Sequence, residues 1–172
     1  MNPNKTNHSA EGEKQQAVKE VVIPREEAVF WLDSRGYWRN AGGKFRKKKI
    51  IDYFHAAISK DENGYFLHQQ KGDVFEKIYF PYEDTALFVF DVCFETSDPA
   101  PDITLVLNTG RRLSLNPRRL YTQNDCLYLK ADDDIIKFTE RALMKLSDVL
   151  DEKNGQFCIH ASGSEHPIPE LN

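Results

Sequence analysis

The chain has 172 residues, 40% of them hydrophobic and 12% aromatic, with a formal net charge of -4. That length supports one compact domain, or two small lobes sharing an interface, without disulfide staples. A mildly acidic balance lacks the electrostatic footprint of a nucleic-acid binder, whose affinity rests on neutralising phosphates, and no apolar run approaches the roughly 18 residues of a membrane span.

Residues 1–24 read as a disordered tail, because up to about Glu20 they are too polar to offset the entropy of ordering. The ordered part is expected to begin near Arg25. Val29 to Asp33, a turn at Ser34 to Gly36, and Tyr37 to Arg39 carry the signal of a hairpin. From Lys47 to Ser59, Ile50, Ile51, Phe54, Ala57 and Ile58 recur at helical spacing, and the preceding basic cluster, Lys44 and Arg46 to Lys49, reads as the solvated first turn of that helix. The helix is expected to stop at Asp61 to Gly64, where Asn63-Gly64 favours a left-handed turn.

Tyr65 to Gln69 and Phe75 to Phe80 follow as strands. After a corner at Pro81 comes Ala86 to Phe94, whose nearly continuous apolar character marks a central strand covered on both faces. Asp98 to Asp102 reads as a loop, and Ile103 to Leu107 and Arg112 to Leu115 form a second hairpin around Asn108 to Gly110. Leu127 to Lys130 is a short strand. The run Asp132 to Asp134 is expected to cap a longer helix carrying the stripe Ile135, Ala142, Leu146 and Val149. Helix exit at Glu152 to Gly155 and a strand from Gln156 to Ala161 complete the order.

Aligning Asp61 to His68 with Glu152 to His160 gives an internal echo: helix, Asn-Gly turn, aromatic strand, histidine. The fold class is therefore α+β, two small related lobes of mainly antiparallel sheet, 25–95 and 96–172, each with a packed amphipathic helix. A shared helix-stop chemistry produces the same echo without duplication.

Charge approaches the core most closely at the Pro81 corner. Lys77, Glu83 and Asp84 are candidate ligand-binding residues if they converge between the two halves. Alternatively Lys77 pairs across a hairpin while Glu83 and Asp84 accept turn amides. Arg111 and Arg118, from a group with Arg112 and Arg119, could offer guanidinium forks to an anion.

No catalytic motif is present, and no catalytic residue is assigned. Cys93, Cys126 and Cys158 lack ligand spacing and read as free thiols; with an odd cysteine count and no secretory signal they indicate a reducing cytoplasm. His55, His68 and His160 have no partner at ligand spacing. No metal or cofactor is implied, and nothing in the chain specifies an oligomeric state.

Phe30 to Trp38, the helix with Ile50 and Phe54, the segment Asn63 to Leu67, and Glu76 to Thr85 together resemble a bacterial domain-of-unknown-function family, numbered 1285. Leu115 to Pro117, Cys126 to Leu129 and the C-terminal helix extend the resemblance across about Glu27 to Pro167. Tyr82 and Ala86 depart from it, where such chains often have valine and proline. The resemblance implies a small α+β fold with repeated elements and a role in sensing or signalling through a bound small molecule, with Lys77, Glu83 and Asp84 as the residues carried over. The function expected is thus a non-enzymatic ligand-binding module, with a protein-interaction adaptor and a small hydrolase pairing Glu83 or Asp84 with a histidine as its rivals.

Overall fold

A computed structural model describes residues 19–95 and 102–171. In chain order the strands are β1 (Lys19–Ile23), β2 (Phe30–Leu32), β3 (Trp38–Asn40), β4 (Gly43–Lys44), β5 (Ile58–Asp61), β6 (Gly64–Lys71), β7 (Val74–Tyr79), β8 (Leu87–Glu95), β9 (Asp102–Leu107), β10 (Arg112–Ser114), β11 (Leu120–Gln123), β12 (Cys126–Ala131), β13 (Asp134–Phe138), β14 (Leu150–Lys153), β15 (Gln156–Ala161) and β16 (Ser164–Pro167). Helix α1 (Lys48–Ala56) lies between β4 and β5, and α2 (Glu140–Leu146) between β13 and β14. The strands form four sheets, ordered β1-β7-β6-β5, β2-β3-β4, β10-β9-β8-β13-β12-β11 and β14-β15-β16. The chain is thus mixed α and β, dominated by sheet. Among the described residues no helix is long and apolar enough to cross a membrane.

Several expected elements stand as the sequence placed them. Asp33 builds the first hairpin turn, its Oδ1 accepting the Arg35 and Tyr37 amides at 3.0 and 2.9 Å. Strand β8 is interior to the six-stranded sheet, with Leu87, Phe88 and Val89 all buried. The β9–β10 hairpin forms around Asn108 to Gly110.

Other elements differ, each for a local reason. Residues 19–23, placed by the sequence in the tail, form a strand parallel to β7, because Val21 to Ile23 supply extended apolar residues to a free sheet edge. Residues 1–18 of the expected tail and the loop from Asp98 lie outside the described residues, apart from Asp102, which begins β9. Neither Asn-Gly pair stops a helix. Helix α1 ends at Ala56, and Asn63-Gly64 turns β5 into β6 just as Asn154-Gly155 turns β14 into β15. Such pairs suit tight hairpins because they accept a positive φ, seen at Gly64 (φ +120°) and Gly155 (φ +78°).

The largest difference concerns Asp132 to Asp134. Asp132 and Asp133 form a turn and Asp134 opens strand β13, where Ile136 and Phe138 point to the core while Ile135 stays exposed. Period-two alternation overrides the helical stripe. The cap of α2 is instead Thr139, whose Oγ1 accepts the Ala142 amide at 3.3 Å and donates to the Val89 carbonyl at 2.8 Å.

Strand β8, assigned by the sequence to an N-terminal lobe ending at residue 95, hydrogen-bonds to β9 and β13 of the following half. One contiguous core joins residues of both halves, from Phe30 and Trp38 through Phe80 and Phe88 to Leu146 and Ile159.

Within that core His55 is 3% exposed, packed on Trp38 and Phe90. Its Nδ1 lies 3.2 Å from Asn108 Nδ2, which fixes the imidazole as the acceptor there. Asn108 is held in turn by the Ala86 carbonyl and the Phe88 amide. Burial pushes the His55 pKa down from 6.5 to about 4. The unfolded chain therefore takes up a proton near pH 6.5 that the folded chain refuses, so this contribution is complete above pH 6.5 and is lost as pH falls towards 4. Urea unfolding at pH 7 and pH 4.5 should show a loss of about 2 kcal/mol in the native chain that is absent in His55→Gln; equal losses in both would remove His55 as the cause.

Candidate functional site

The corner from Phe80 to Thr85 connects the four-stranded sheet to the six-stranded one. Phe80 anchors it in the core, edge-on to Trp38 at 4.9 Å between ring centroids. Its backbone brackets β2: the Leu32 amide donates to the Pro81 carbonyl and the Glu83 amide donates back to the Leu32 carbonyl, both at 3.0 Å. The Glu83 carboxylate accepts the Trp31 indole N–H at 3.3 Å and the Ser34 amide at 3.0 Å. Next along, Asp84 Oδ2 accepts the Tyr128 hydroxyl at 2.8 Å and the Lys137 ammonium at 2.7 Å. Thr85 Oγ1 donates to the Ile135 carbonyl at 2.6 Å. Three adjacent side chains thus join the first hairpin to β12 and β13.

Lys137 continues that network by donating to the Ser34 carbonyl at 3.0 Å. Burial alone would lower its pKa, but the Asp84 carboxylate beside it reverses the direction and holds the ammonium charged. Burial and the bond to Asp84 push the Tyr128 hydroxyl well up, so it remains a donor.

The five residues picked from the sequence are not brought together. Lys77, on β7, pairs with Asp61 and lies 4.3 Å from the centre of the Phe66 ring, while the Tyr79 hydroxyl donates to the same Asp61 oxygen at 2.7 Å. The Lys77 and Tyr79 bonds depress the Asp61 pKa to about 2. Arg111 reaches Asp134 at 3.4 Å, where Lys60 and Tyr65 also converge at 2.8 and 2.6 Å. Asp134 is therefore a tie between the four-stranded sheet and β13. Arg118 is exposed on a single 3-10 turn and makes no ion pair among the described residues. Only Glu83 and Asp84 are neighbours in one network, and no histidine bonds either of them among the described residues.

A groove lined by two of the corner's partners, Ser34 and Lys137, has a volume of about 930 Å³. Its charged lining is mixed, with Arg35, Lys137 and Arg141 alongside Asp91, Asp125 and Glu140, and Phe88, Phe90, Phe138 and Leu143 supply apolar surface. A second cavity of about 620 Å³ lies against Leu127, Leu150, Phe157 and Ile168, and Asp125, Cys126 and Leu143 line both. Lys77, Glu83, Asp84, Arg111 and Arg118 line neither. Lys137 pairs with Asp84 and Arg141 with Asp91, whereas Arg35 has no carboxylate partner among the described residues.

The Ser34 to Tyr37 turn is tied down by Asp33 where it meets the groove. Burial would raise the Asp33 pKa, but the bond from Arg39 and the Tyr37 and Arg35 amides bring it below the usual range and keep the carboxylate ionised. Gly36 has φ +79°, and a Cβ there would come within 3.0 Å of the Phe88 ring, so only glycine lets the turn lie on β8. Sequence reasoning missed Lys137 because its segment was read as helix. Read as a strand, a lysine between the buried Ile136 and Phe138 calls for a partner on the opposite face.

No family model matches the chain, and no curated protein matches it. Among solved structures, a DUF1285 family protein from Silicibacter pomeroyi aligns with a TM-score of 0.59 at 16% identity, covering 87% of this chain and 83% of its own. A DUF1285 family protein from Shewanella baltica aligns with a TM-score of 0.46 at 16% identity, covering 70% of this chain and 91% of its own. The first likeness shows that this chain has the DUF1285 fold, in agreement with the resemblance seen in the sequence.

A double-mutant cycle on Asp84→Asn and Lys137→Met should give a coupling of about 1 kcal/mol in chemical denaturation, since the Lys137 side chain is largely withdrawn from water and the Asp84 carboxylate partly so. Arg118→Ala should change stability by less than about 0.5 kcal/mol. Additive effects at the first pair would contradict the network.

Proposed function

We propose that this protein is a non-enzymatic binding module for a small ligand that combines an apolar body with an anionic group, held in the groove beside the Pro81 corner. The observation that carries the reading is the meeting of aromatic and aliphatic surface with the guanidinium of Arg35, the lining cation that has no carboxylate partner among the described residues, whereas Lys137 and Arg141 are held by Asp84 and Asp91. A volume of about 930 Å³ falls within the range of small-molecule sites. Apolar walls supply most of the binding energy, and a guanidinium fork fixes a carboxylate or phosphate.

Glu83 and Asp84 act as scaffold in this reading. Both already accept bonds that position the hairpin and Lys137, which leaves them ill-suited to acid–base chemistry. A cytoplasmic sensing or signalling role suits the groove, because its occupant would touch the first hairpin and the six-stranded sheet together.

The two halves are, we further propose, related copies. In each, a helix is followed by three antiparallel strands whose first turn is Asn-Gly, then by a proline whose carbonyl accepts an amide from an earlier strand. Pro81 and Glu83 bracket Leu32, and Pro169 and Leu171 bracket Thr122 with bonds of 2.8–3.0 Å.

The test of the binding site is a thermal-shift screen of the purified chain against carboxylate and phosphate metabolites and nucleotides, since a ligand of the native state raises the melting temperature. A stabilising compound should lose its effect in Arg35→Ala and keep it in Arg118→Ala. Absence of any stabilising compound, or one indifferent to Arg35→Ala, would contradict the groove as a binding site.

A further inference from the structure

The C-terminal sheet gathers chemistry that the groove does not use. Strands alternate faces, so Cys158 and His160 on β15 point the same way. Asp151 on β14 stands directly opposite Cys158, and Glu165 on β16 stands directly opposite His160. All four residues therefore share one face of a three-stranded sheet. One ligand atom each from Asp151, Cys158 and His160 lies within 4.8 Å of the other two.

We infer that Asp151, Cys158 and His160 form a binding site for a divalent cation of the zinc class. A tetrahedral zinc ion bonded at about 2.0–2.3 Å sets its donors roughly 3.3–3.8 Å apart. The exposed side chains of Asp151 and His160 can close the remaining distance by rotation around the buried Cys158. Thiolate and imidazole donors select zinc over magnesium or calcium, which prefer oxygen cages. Glu165 Oε2 lies 3.5 Å from His160 Nε2, the kind of carboxylate neighbour that orients a ligating imidazole. Lys153, paired with Glu165, supplies the positive charge that now offsets this acidic face. Three protein donors leave the fourth position to water.

Binding is balanced in protons. The Cys158 thiol donates to the Asp151 carbonyl at 3.6 Å, and its proton leaves to solvent as the sulfur–metal bond forms. No short sequence motif reveals the site, because its third donor comes from across the β14–β15 hairpin rather than from a Cys-x-x-Cys spacing.

The test uses the full chain, stripped of metal with EDTA and titrated with Co2+ as a coloured stand-in, then with Zn2+ in competition. The expected result is one equivalent of cobalt with a near-ultraviolet thiolate charge-transfer band, displaced by zinc, and a zinc-dependent rise in melting temperature. The band should disappear in Cys158→Ala and persist in Cys93→Ser and Cys126→Ser. Should Cys158→Ala fail to fold, His160→Gln and Asp151→Asn at exposed positions carry the test, each weakening binding about tenfold or more. The inference is overturned if no thiolate band forms, if Cys126→Ser removes it, or if His160→Gln and Asp151→Asn leave affinity unchanged.

Discussion

Two main-chain hydrogen bonds between the Pro81 corner and Leu32 determine how the rest of the molecule is arranged. Each is worth only about 1 kcal/mol net, yet leaving either buried group unpaired would cost more than the bond contributes. With Leu32 fully buried, the corner cannot slip along β2 without stranding those groups. The four-stranded sheet therefore ends, and β8 begins, at a fixed point relative to the first hairpin. Glu83 and Asp84 extend that fixation outward, one to the Ser34 amide and the other to Lys137 and Tyr128.

The same constraint shapes the surface. Lys137, held between Asp84 and the Ser34 carbonyl, lines the groove, and Gly36 lets the turn rest on Phe88, which lines it too. Asp134 ties the other end of β13 to Lys60, Tyr65 and Arg111. Strand β13 is thus held by charge at both ends and by Ile136 and Phe138 between them. Under the proposed reading, a groove on such a frame would be pre-formed, which would reduce the ordering cost of binding.

Much of the fold was legible because some segments carry one signal only. Leu87 to Val89 cannot be exposed on either face, and Asp33 before a glycine turn favours one hairpin. Where two signals competed, the local one misled. Asp132 to Asp134 look like a helix cap, but Ile135, Ile136 and Phe138 alternate, and strand pairing with β8 and β12 decides the outcome. Asn63-Gly64 suits a helix end or a hairpin equally, and only pairing with distant residues selects the hairpin. The site was less legible for the same reason. Lys77 has a carboxylate partner, as one reading of the sequence required, and that partner is Asp61 at the end of β5, two strands away in the same sheet. The side-chain partners of Glu83 and Asp84, Trp31, Ser34, Tyr128 and Lys137, lie 44 to 53 residues away, a separation no local pattern encodes.

If the corner is what couples the sheets, they should unfold together. Native-state hydrogen exchange of the Leu32 and Glu83 amides, alongside amides of β6 and β12, tests this most directly. The account predicts that all four report the same opening free energy, equal to that of global unfolding. Exchange of Leu32 and Glu83 through a low-energy local opening, with β6 and β12 protected to different extents, would contradict it.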